Sequence, residues 1–298
     1  MSAALTPPAE SREAATARAA VLLEALPYIQ RFRGRTIVVK LGGNAMVDDD
    51  LAATFAEDIV LMHSVGLRPV VVHGGGPQIS ELMERLGKVP EFVDGQRVTD
   101  AETVDIARMV LMGKVNRDLV GAINVHGPLA VGLSGEDAGL IEAAERDPAL
   151  GFVGDVLSVN PTILERLLAE ALIPVVSTIA SDAKGQTYNI NADTVAGALA
   201  EAIGAEKVIY LTDVEGLLAD VEDPGSLISH VGAAALRRMI EDGTLRGGMI
   251  PKITACLHAV TNGVGSAHLL DGRLPHVVLL ELFSDAGVGT MITREAPR

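Results

Sequence analysis

The sequence has 298 residues, of which 48% are hydrophobic, enough for one large or two modest domains with a sizeable core. Its formal net charge of −15 argues against nucleic acid and anionic membranes as partners, so an anionic substrate must be held by local lysines, arginines and backbone amides. The single cysteine, Cys256, excludes an intrachain disulfide and a cysteine-cluster metal site, and its apolar helical surroundings predict a packed thiol.

The N-terminal part of the chain predicts a disordered tip followed by a helix. Residues 1–9 contain Ser, Thr and a Pro pair, whereas Glu10–Phe32 is alanine-rich with apolar residues at helical spacing. Pro27 is expected to kink or divide this helix. We find neither the apolar core of a signal peptide nor a run long enough to span a membrane, which predicts a cytoplasmic protein.

The first strand–turn–helix unit carries a lysine and a glycine pair. Ile37–Val39 is apolar without alternation, as in a strand that is buried on both faces. Lys40, Gly42 and Gly43 follow, before a helix over Leu51–Val65. Glycines let a backbone approach an anion closely, so this unit fits phosphate binding. Taken alone, a turn whose lysine merely reaches solvent is the better interpretation.

A second strand–turn–helix unit repeats this pattern and favours the phosphate-binding interpretation. The strand Val70–Val72 leads through His73 to the glycine run Gly74–Gly76 and a helix over Gln78–Leu86. Neither the spacing of the P-loop nor that of the dinucleotide fingerprint is present. Two glycine turns at the carboxyl ends of neighbouring parallel strands would face one ligand. His73 is predicted to be hydrogen-bonded locally rather than to act as a base.

The rest of the chain continues to alternate between strands and helices. The predicted elements are a connector at 87–97 with a hairpin, a helix at 101–123 capped by Thr99 or Asp100, strand 130–133, antiparallel strands within 151–159, helix 161–171, strand 173–179, helix 194–203 opened by Asn191 or Asp193, strand 207–211, a loop at 220–226, helices 232–242 and 253–262, and closing strands at 267–270 and up to 290–292. This order predicts an α/β fold with a mainly parallel central sheet flanked by helices, inserted β-hairpins and an N-terminal helical arm.

Several motifs together resemble the amino-acid kinase family, over about residues 37–292. They are KLGGNAM at Lys40, HGGGP at His73, GQRVTD at Gly95, YNINAD at Tyr188, LTDVEGL at Leu211 and GGMIPK at Gly247. Other members, such as carbamate kinase, aspartokinase and uridylate kinase, share the glycine turns and the distal lysine. GQRVTD, YNINAD and GGMIPK in combination are similar to the members that phosphorylate acetylglutamate.

The resemblance implies phosphoryl transfer from ATP to the γ-carboxylate of N-acetyl-L-glutamate, a step of arginine biosynthesis. By this resemblance, Lys40 and Lys252 stabilise the transferring group and Asp193 holds both lysines; the alternative for Asp193 is a simple helix N-cap. The residues expected to bind the substrate are Gly75, Gly76, Arg97 and Asn189. For Arg97 the alternative is a surface ion pair, and the favoured role is a two-pronged contact with the α-carboxylate.

The resemblance also implies where ATP binds. The residues expected at the nucleotide are Gly42, Gly43, Asp213, Val214, Glu215, Gly216, Leu217 and Leu218. Mg²⁺ is expected on the phosphates and water, with no protein ligand assigned. Many relatives have lysine where Glu136 follows Ser134 and Gly135, and the consequence of this difference stays open.

The N-terminal helix resembles the arm of arginine-inhibited family members, which joins dimers into a hexameric ring. The implied domains are 1–34 as an oligomerisation arm, 35–187 as an acetylglutamate-binding and dimerisation lobe, and 188–298 as an ATP-binding lobe. Candidate residues for L-arginine as an inhibitor are Lys207, His268, Glu281 and Gly287. The alternative for Lys207 and Glu281 is that both are merely solvated.

Two other classes of function remain open at this point. The first is another amino-acid kinase, of the glutamate 5-kinase or aspartokinase type, with a different pocket around Arg97 and Asn189. The second is a catalytically silent amino-acid sensor on the same fold. The presence of Lys40, Asp193 and Lys252 together argues against a sensor, which needs no pair of lysines at a transfer site.

Overall fold

A computed structural model describes residues 12–42, 46, 48–93, 95–220, 223–245, 249–284 and 287–295. The predicted disordered tip lies outside these residues. The strands, in chain order, are β1 (Thr36–Leu41), β2 (Arg68–His73), β3 (Phe92–Val93), β4 (Gln96–Arg97), β5 (Ala130–Ser134), β6 (Ile141–Glu145), β7 (Val153–Val159), β8 (Ile173–Ser177), β9 (Ile179–Ser181), β10 (Thr187–Ile190), β11 (Lys207–Thr212), β12 (His230–Gly232), β13 (Ser266–Asp271) and β14 (Gly289–Thr293).

The helices connect and cover these strands. They are α1 (Arg12–Phe32), α2 (Asp49–Ser64), α3 (Gly76–Arg85), α4 (Ala101–Arg108), a π-helical segment (Met109–Val115), α5 (Asn116–Asn124), α6 (Thr162–Ala169), α7 (Ala192–Ala202), α8 (Ala233–Glu241), α9 (Met249–Thr261) and α10 (Val277–Phe283). None of the described helices is both long and apolar enough to cross a membrane.

The main sheet has eight strands in the order β12-β14-β13-β11-β1-β2-β8-β5. All neighbours are parallel except β13 and β14, which are antiparallel. Central β1 is buried on both faces because Val38 packs into one hydrophobic cluster and Ile37 and Val39 pack into the other. This arrangement confirms the predicted α/β class with a mainly parallel sheet.

Inserted strands form a second, smaller layer. Strands β6, β7, β9 and β10 make a closed four-stranded sheet, and β3 and β4 form the predicted hairpin in the 87–97 connector. The prediction of one strand over 173–179 was wrong, because the chain passes from β8 in the main sheet to β9 in the smaller sheet between Ser177 and Ile179. Strands β6 and β10 were not predicted, since neither has a long apolar run.

Several helix predictions need correction. Pro27 lies inside α1 and does not divide it. The long helix predicted over 101–123 is interrupted by the π-helical segment, and Asp100 is its N-cap, accepting a hydrogen bond from the Thr103 N–H. Helix α9 begins four residues earlier than predicted, which places Lys252 in its first turn. Helix α10 was not predicted.

Candidate active site

The carboxyl edge of the main sheet brings the predicted site residues together. Lys40 lies near the end of β1, with Tyr210 of β11 on one side and Val72 of β2 on the other. The glycine turn after β2 and the turn after β11 therefore lie on either side of Lys40. In a parallel sheet this edge is where ligands usually bind.

Asp193 joins the two lysines that were predicted to act in catalysis. Its Oδ1 lies 3.0 Å from Lys40 Nζ, and its Oδ2 lies 3.1 Å from Lys252 Nζ. The Lys40 and Asp193 side chains are only 9% and 8% exposed, whereas that of Lys252 is 27% exposed. Burial alone would raise the pKa of the Asp193 carboxyl, but the two ammonium groups outweigh it and hold this pKa below its usual range. The carboxylate is therefore ionised and separates two positive charges.

The start of α7 explains why this carboxylate is available. Asn191 is the N-cap, and its side-chain oxygen accepts hydrogen bonds from the backbone N–H groups of Asp193 and Thr194. Asp193 is the second residue of the helix, so the alternative that it is only the N-cap is wrong. An acidic side chain in the first turn is also stabilised by the helix dipole.

Gly42 lets the Lys40 side chain fold back over the turn. A Cβ atom at residue 42 would collide with Lys40 Nζ and Cε. Any side chain there would displace the ammonium group from Asp193. Gly43, also predicted to contact phosphates, lies outside the described residues.

The second glycine turn leads directly into α3. Gly75 is the N-cap and no side chain caps it, while Gly76 begins the helix with open space where a Cβ would stand. Backbone N–H groups at such a helix start are suited to anionic oxygens.

Arg97 is fixed against this helix rather than paired at the surface. Its Nη2 donates to the Gly76 carbonyl oxygen at 2.9 Å and to Ser80 Oγ at 2.8 Å, and its guanidinium lies 4.8 Å from the centre of the Phe92 ring. The residue is 7% exposed, so the alternative of a surface ion pair is wrong. Burial lowers the pKa of its guanidinium. Sequence reasoning missed Ser80, although the four-residue spacing from Gly76 places both on one helix face.

Asn189 lies on β10, next to the start of α7. Its backbone N–H donates to the Phe152 carbonyl oxygen at 3.0 Å, and the residue is partly exposed. A cleft of about 900 Å³ opens nearby between β7, α7 and the first turns of α9. Gln96 of the hairpin, Asn191, Asp193 and Lys252 line this cleft.

The segment predicted to bind the nucleotide follows β11 and is hydrogen-bonded to β14. Asp213, Val214 and Glu215 are exposed, whereas Leu217 is buried. The Leu217 N–H donates to Thr290 Oγ1 at 2.8 Å, and a Cβ on Gly216 would lie 2.7 Å from the same oxygen. Gly216 also has a φ of 150°, so only glycine fits this bend readily. Leu218 is partly exposed and forms an isolated bridge with Leu227.

The Glu136 side chain joins three elements. Its Oε2 accepts a hydrogen bond from Arg108 Nη2 at 2.8 Å, and its Oε1 accepts one from Thr187 Oγ1 at 2.8 Å. The turn after β5 is thereby tied to α4 and to β10, which also carries Asn189. A lysine at residue 136 would repel Arg108 and could not accept either hydrogen bond.

The four candidates for an arginine site lie apart from the lysine pair, near the end of α1. Lys207 Nζ is 2.9 Å from His268 Nε2, and His268 Nδ1 is 2.8 Å from Glu281 Oε1. Burial lowers the pKa of Lys207 to about 8. Lys207 is 7% exposed and the Glu281 side chain is 11% exposed, so the alternative that both are solvated is wrong. Gly287 lies beside Val288, whose backbone hydrogen-bonds to Glu281.

Within the described parts of the chain, no group of three or more His, Cys, Asp or Glu side chains could hold a metal ion. Cys256 is fully buried, as predicted, and burial raises the pKa of its thiol.

Comparisons with known proteins agree with this geometry. The model of the amino acid kinase family matches residues 35–271. The chain is 55% identical to an acetylglutamate kinase of Saccharopolyspora erythraea, over 96% of each chain, and 53% identical to one of Nostoc sp., over 94% of this chain and 95% of the relative. A solved N-acetylglutamate synthase from Neisseria gonorrhoeae, complexed with coenzyme A and N-acetyl-glutamate, matches with a TM-score of 0.82 at 26% identity, covering 94% of this chain and 64% of that chain. The chain therefore belongs to the amino acid kinase family and, within it, to the acetylglutamate kinases.

Proposed function

We propose that this kinase transfers the γ-phosphoryl group of ATP to the γ-carboxylate of N-acetyl-L-glutamate, giving N-acetyl-L-glutamyl 5-phosphate for arginine biosynthesis. The observation that carries the proposal is the buried Asp193 carboxylate held between Lys40 and Lys252. Two lysines on one carboxylate at the edge of a parallel sheet are suited to an anionic reaction. The curated relatives named acetylglutamate kinase support the choice of acceptor.

The chemistry requires charge neutralisation more than proton transfer. A carboxylate is already a nucleophile, so the reaction needs no strong general base. Its approach to a triphosphate is opposed by repulsion, which positive groups must offset. Lys40 faces the transferring phosphoryl from the β1 side, and Lys252 neutralises the leaving oxygen from the α9 side. Each well-placed donor of this kind contributes a factor of roughly 100 or more in rate.

N-Acetyl-L-glutamate binds on the β2 side of Lys40, opposite the β11 side at which ATP binds. The Arg97 guanidinium has only neutral partners among the described residues, so a substrate α-carboxylate would supply its counter-charge. Asn189 contacts the substrate from β10. The backbone N–H groups of Gly75 and Gly76 bind the γ-carboxylate and the transferring group.

ATP enters from the β11 side. Gly42 and Gly43 contact its phosphates, and residues 213–218 line the adenosine. Leu217 anchors this segment, because its side chain is buried and its N–H donates to Thr290 Oγ1. Mg²⁺ would be held by the phosphates and water, because the described residues include no group of three or more His, Cys, Asp or Glu side chains that could hold it. Bound there, the ion would neutralise further phosphate charge.

We infer the same lobes as from sequence, 35–187 for acetylglutamate and 188–298 for ATP, with residues 1–34 as an arm that joins subunits. Helix α1 supports the role of the arm, because its residues Val21, Leu22 and Leu23 are 63%, 72% and 67% exposed. Apolar side chains exposed in a row favour contact with another copy of the chain. The proposed assembly is a homo-oligomer, a dimer or a trimer of dimers.

We further propose that L-arginine inhibits the enzyme through the Lys207–His268–Glu281 cluster. Lys207 Nζ lies 5.5 Å from the centre of the Phe32 ring, so the cluster touches the end of the arm. The Glu281 carboxylate suits a guanidinium or an α-amino group. Titration of the activity with arginine, in the wild type and in Glu281→Gln, tests this. Inhibition of equal strength in both proteins would remove Glu281 from the arginine site.

An assay with three acceptors tests the main proposal. The purified chain is incubated with ATP, Mg²⁺ and N-acetyl-L-glutamate, L-glutamate or L-aspartate, and hydroxylamine converts any acyl phosphate to a hydroxamate. We expect turnover with acetylglutamate and little with the other two, and loss of turnover in Asp193→Asn. Preference for glutamate or aspartate would assign the chain to another amino-acid kinase. Binding without turnover of any acceptor would indicate a sensor.

A further inference from the structure

The helix that follows the hairpin has an irregular middle. Between α4 and α5, residues Met109–Val115 form a π-helical segment. One extra residue in a turn rotates the helix that follows by about 100°, and such segments are frequent at functional sites. At the end of this segment the consecutive residues Val115 and Asn116 are both buried.

Asn116 uses its amide to reach three strands. Its Nδ2 donates to the Val175 carbonyl oxygen at 2.9 Å and lies 3.1 Å from His73 Nε2, with a weaker contact of 3.4 Å to the Leu133 carbonyl oxygen. Its Oδ1 accepts a hydrogen bond from Arg117 Nη2. Because the NH₂ group faces backbone carbonyls and the oxygen faces a guanidinium, the orientation of the amide is fixed. His73 Nε2 must therefore accept.

The orientation of Asn116 decides the tautomer of His73. With Nε2 as acceptor, the proton of the neutral ring is on Nδ1, which donates to the Gly74 carbonyl oxygen at 2.9 Å. Burial lowers the pKa of His73 to about 4, although the bond to Gly74 opposes the shift. The imidazole is therefore neutral and inaccessible, which agrees with its predicted local role.

His73 in turn sets the direction of a backbone N–H in the glycine turn. The Gly74–Gly75 peptide is trans. In a planar trans peptide, the carbonyl of one residue and the N–H of the next point in opposite directions. A hydrogen bond that fixes the Gly74 carbonyl therefore also fixes the Gly75 N–H, pointing it away from His73.

The π-helical segment contacts the same turn a second time. A Cβ on Gly75 would lie 2.5 Å from Leu111 Cδ2 and 3.2 Å from Val115 Cγ2, so these two side chains pack directly against the Gly75 backbone. The glycine turn is thus held in two ways. Leu111 and Val115 pack against the Gly75 backbone, and His73 hydrogen-bonds to the Gly74 carbonyl oxygen. Leu111 and Val115 lie in the π-helical segment, and Asn116, which contacts His73, follows it directly.

We propose that Asn116 is a positioning residue of the active site, which acts through His73 to aim the Gly75 N–H at the γ-carboxylate of the substrate. This inference rests on the proposed function for the identity of the substrate. It concerns a side chain that touches neither reactant. The relay is Asn116 to His73 to the Gly74–Gly75 peptide.

Kinetics of Asn116→Ala give the first test, with Asn124→Ala as the matched control. Asn124 lies on the same helix and also hydrogen-bonds strand backbone, at Ala130, but at the end far from the glycine turn. In Asn116→Ala we expect the KM for acetylglutamate to rise about tenfold, as for one lost hydrogen bond, with the KM for ATP unchanged. In Asn124→Ala we expect a similar fall in Tm and no kinetic change. Equal kinetics in the two variants at equal loss of Tm would overturn the proposal.

A second test needs neither the Asn116→Ala variant nor the substrate. Nitrogen-15 spectra of the wild-type chain with labelled histidine distinguish Nδ1–H from Nε2–H, and a His73→Gln sample assigns the signal. We expect His73 as neutral Nδ1–H from pH 5 to pH 8. An Nε2–H tautomer or an imidazolium in this range would overturn the relay. Failure of the three-acceptor assay would instead refute the proposed substrate and leave this result standing.

Discussion

Lys40 and Lys252 pair with the same carboxylate, that of Asp193, but their surroundings differ. Lys40 is nearly buried and enclosed by the turn at Gly42, whereas Lys252 is three times as exposed, at 27% against 9%. Lys252 lies on the first turn of α9. Of the two ammonium groups, that of Lys252 is the more accessible to a nucleotide.

We expect Lys252→Ala to lower kcat by roughly 100-fold or more, which is the usual rate contribution of one charge-stabilising donor. The KM for acetylglutamate should change little. The reason is that Lys252 faces charge that develops during transfer rather than the resting acceptor. Steady-state kinetics with both substrates measure this. Lys114→Ala is the control, because Lys114 also pairs with an aspartate, Asp118, but is 61% exposed. An unchanged kcat in Lys252→Ala would contradict the assignment.

Arg97→Lys is expected to raise the KM for acetylglutamate about tenfold or more and to leave the KM for ATP near that of the wild type. An ammonium group replaces the charge of the guanidinium but not its planar, two-pronged geometry. The guanidinium contacts Gly76 and Ser80 through Nη2 and keeps a second terminal nitrogen, whereas a lysine has a single nitrogen for these contacts and for the substrate carboxylate. A parallel loss of affinity for both substrates would mean that Arg97 serves the fold of the hairpin.

The sequence predicted the identity of these residues better than their surroundings. Lys40 and Gly42 could be found because a lysine and glycines interrupt an apolar strand. The burial of Arg97 could not, because its partners Ser80 and Phe92 come from an unremarkable helix face and a two-residue strand. Asn116 gave no signal, since a polar residue within a helical pattern is usually assigned to the solvent face.

At the scale of elements, long apolar strands and helices with clear caps were predicted, and short or half-polar elements were missed. Strand β1 is an apolar run, and Asp100 is a typical N-cap. Strand β10 has two buried and two partly exposed residues in only four positions. The π-helical segment contains no proline to mark an interruption, so the sequence indicates one continuous helix.

The contact between α2 and the turn before α10 gives a pH-dependent prediction. His276 Nδ1 lies 2.6 Å from Asp58 Oδ1, and burial raises the pKa of the Asp58 carboxyl to about 6, although His276 opposes the shift. Because the folded pKa lies above the ordinary value of 3.8, this group's contribution to stability is complete below about pH 4 and is lost as the pH rises through 6.

We therefore expect the free energy of unfolding of Asp58→Asn, relative to that of the wild type, to increase by about 1–2 kcal/mol when the pH is raised from 5 to 8. One pKa unit corresponds to about 1.4 kcal/mol, and the half-exposed His276 reduces the full effect by screening. Urea midpoints at the two pH values measure it. Asp105→Asn on the exposed face of α4 is the control, for which we expect no such difference. A pH-independent difference for Asp58→Asn would show that the carboxyl does not titrate in this range.

At the scale of the whole molecule, one continuous sheet carries both proposed lobes. Strands β2, β8 and β5 lie on one side of β1, and β11, β13, β14 and β12 lie on the other. The parallel βα order made this sheet predictable, but the antiparallel pairing of β14 with β13 was not, since it depends on the unpredicted α10. Lys40 thus lies on β1, beside β11, where the two proposed lobes meet.

The arm formed by α1 gives the last prediction. Phe32, at its C-terminal end, is 3% exposed and contacts Lys207, so it belongs to the folded core. Leu22 and Leu23, further towards the N-terminus, are 72% and 67% exposed, and burial of such side chains in another subunit would stabilise an assembly by roughly 1.5–3 kcal/mol each.

Removal of residues 1–26 should therefore keep the core and the active site but release smaller oligomers that still phosphorylate acetylglutamate and respond poorly to arginine. Leu22→Glu should act in the same direction, because a carboxylate cannot be buried in an apolar contact without a partner. Val125→Glu, at an exposed valine beyond the end of α5, is the control. Light scattering with and without arginine measures the mass, and the kinase assay follows the response. If the truncated chain keeps the mass of the intact protein, α1 is a cap on its own subunit, and arginine must act within one protomer through Lys207 and Glu281.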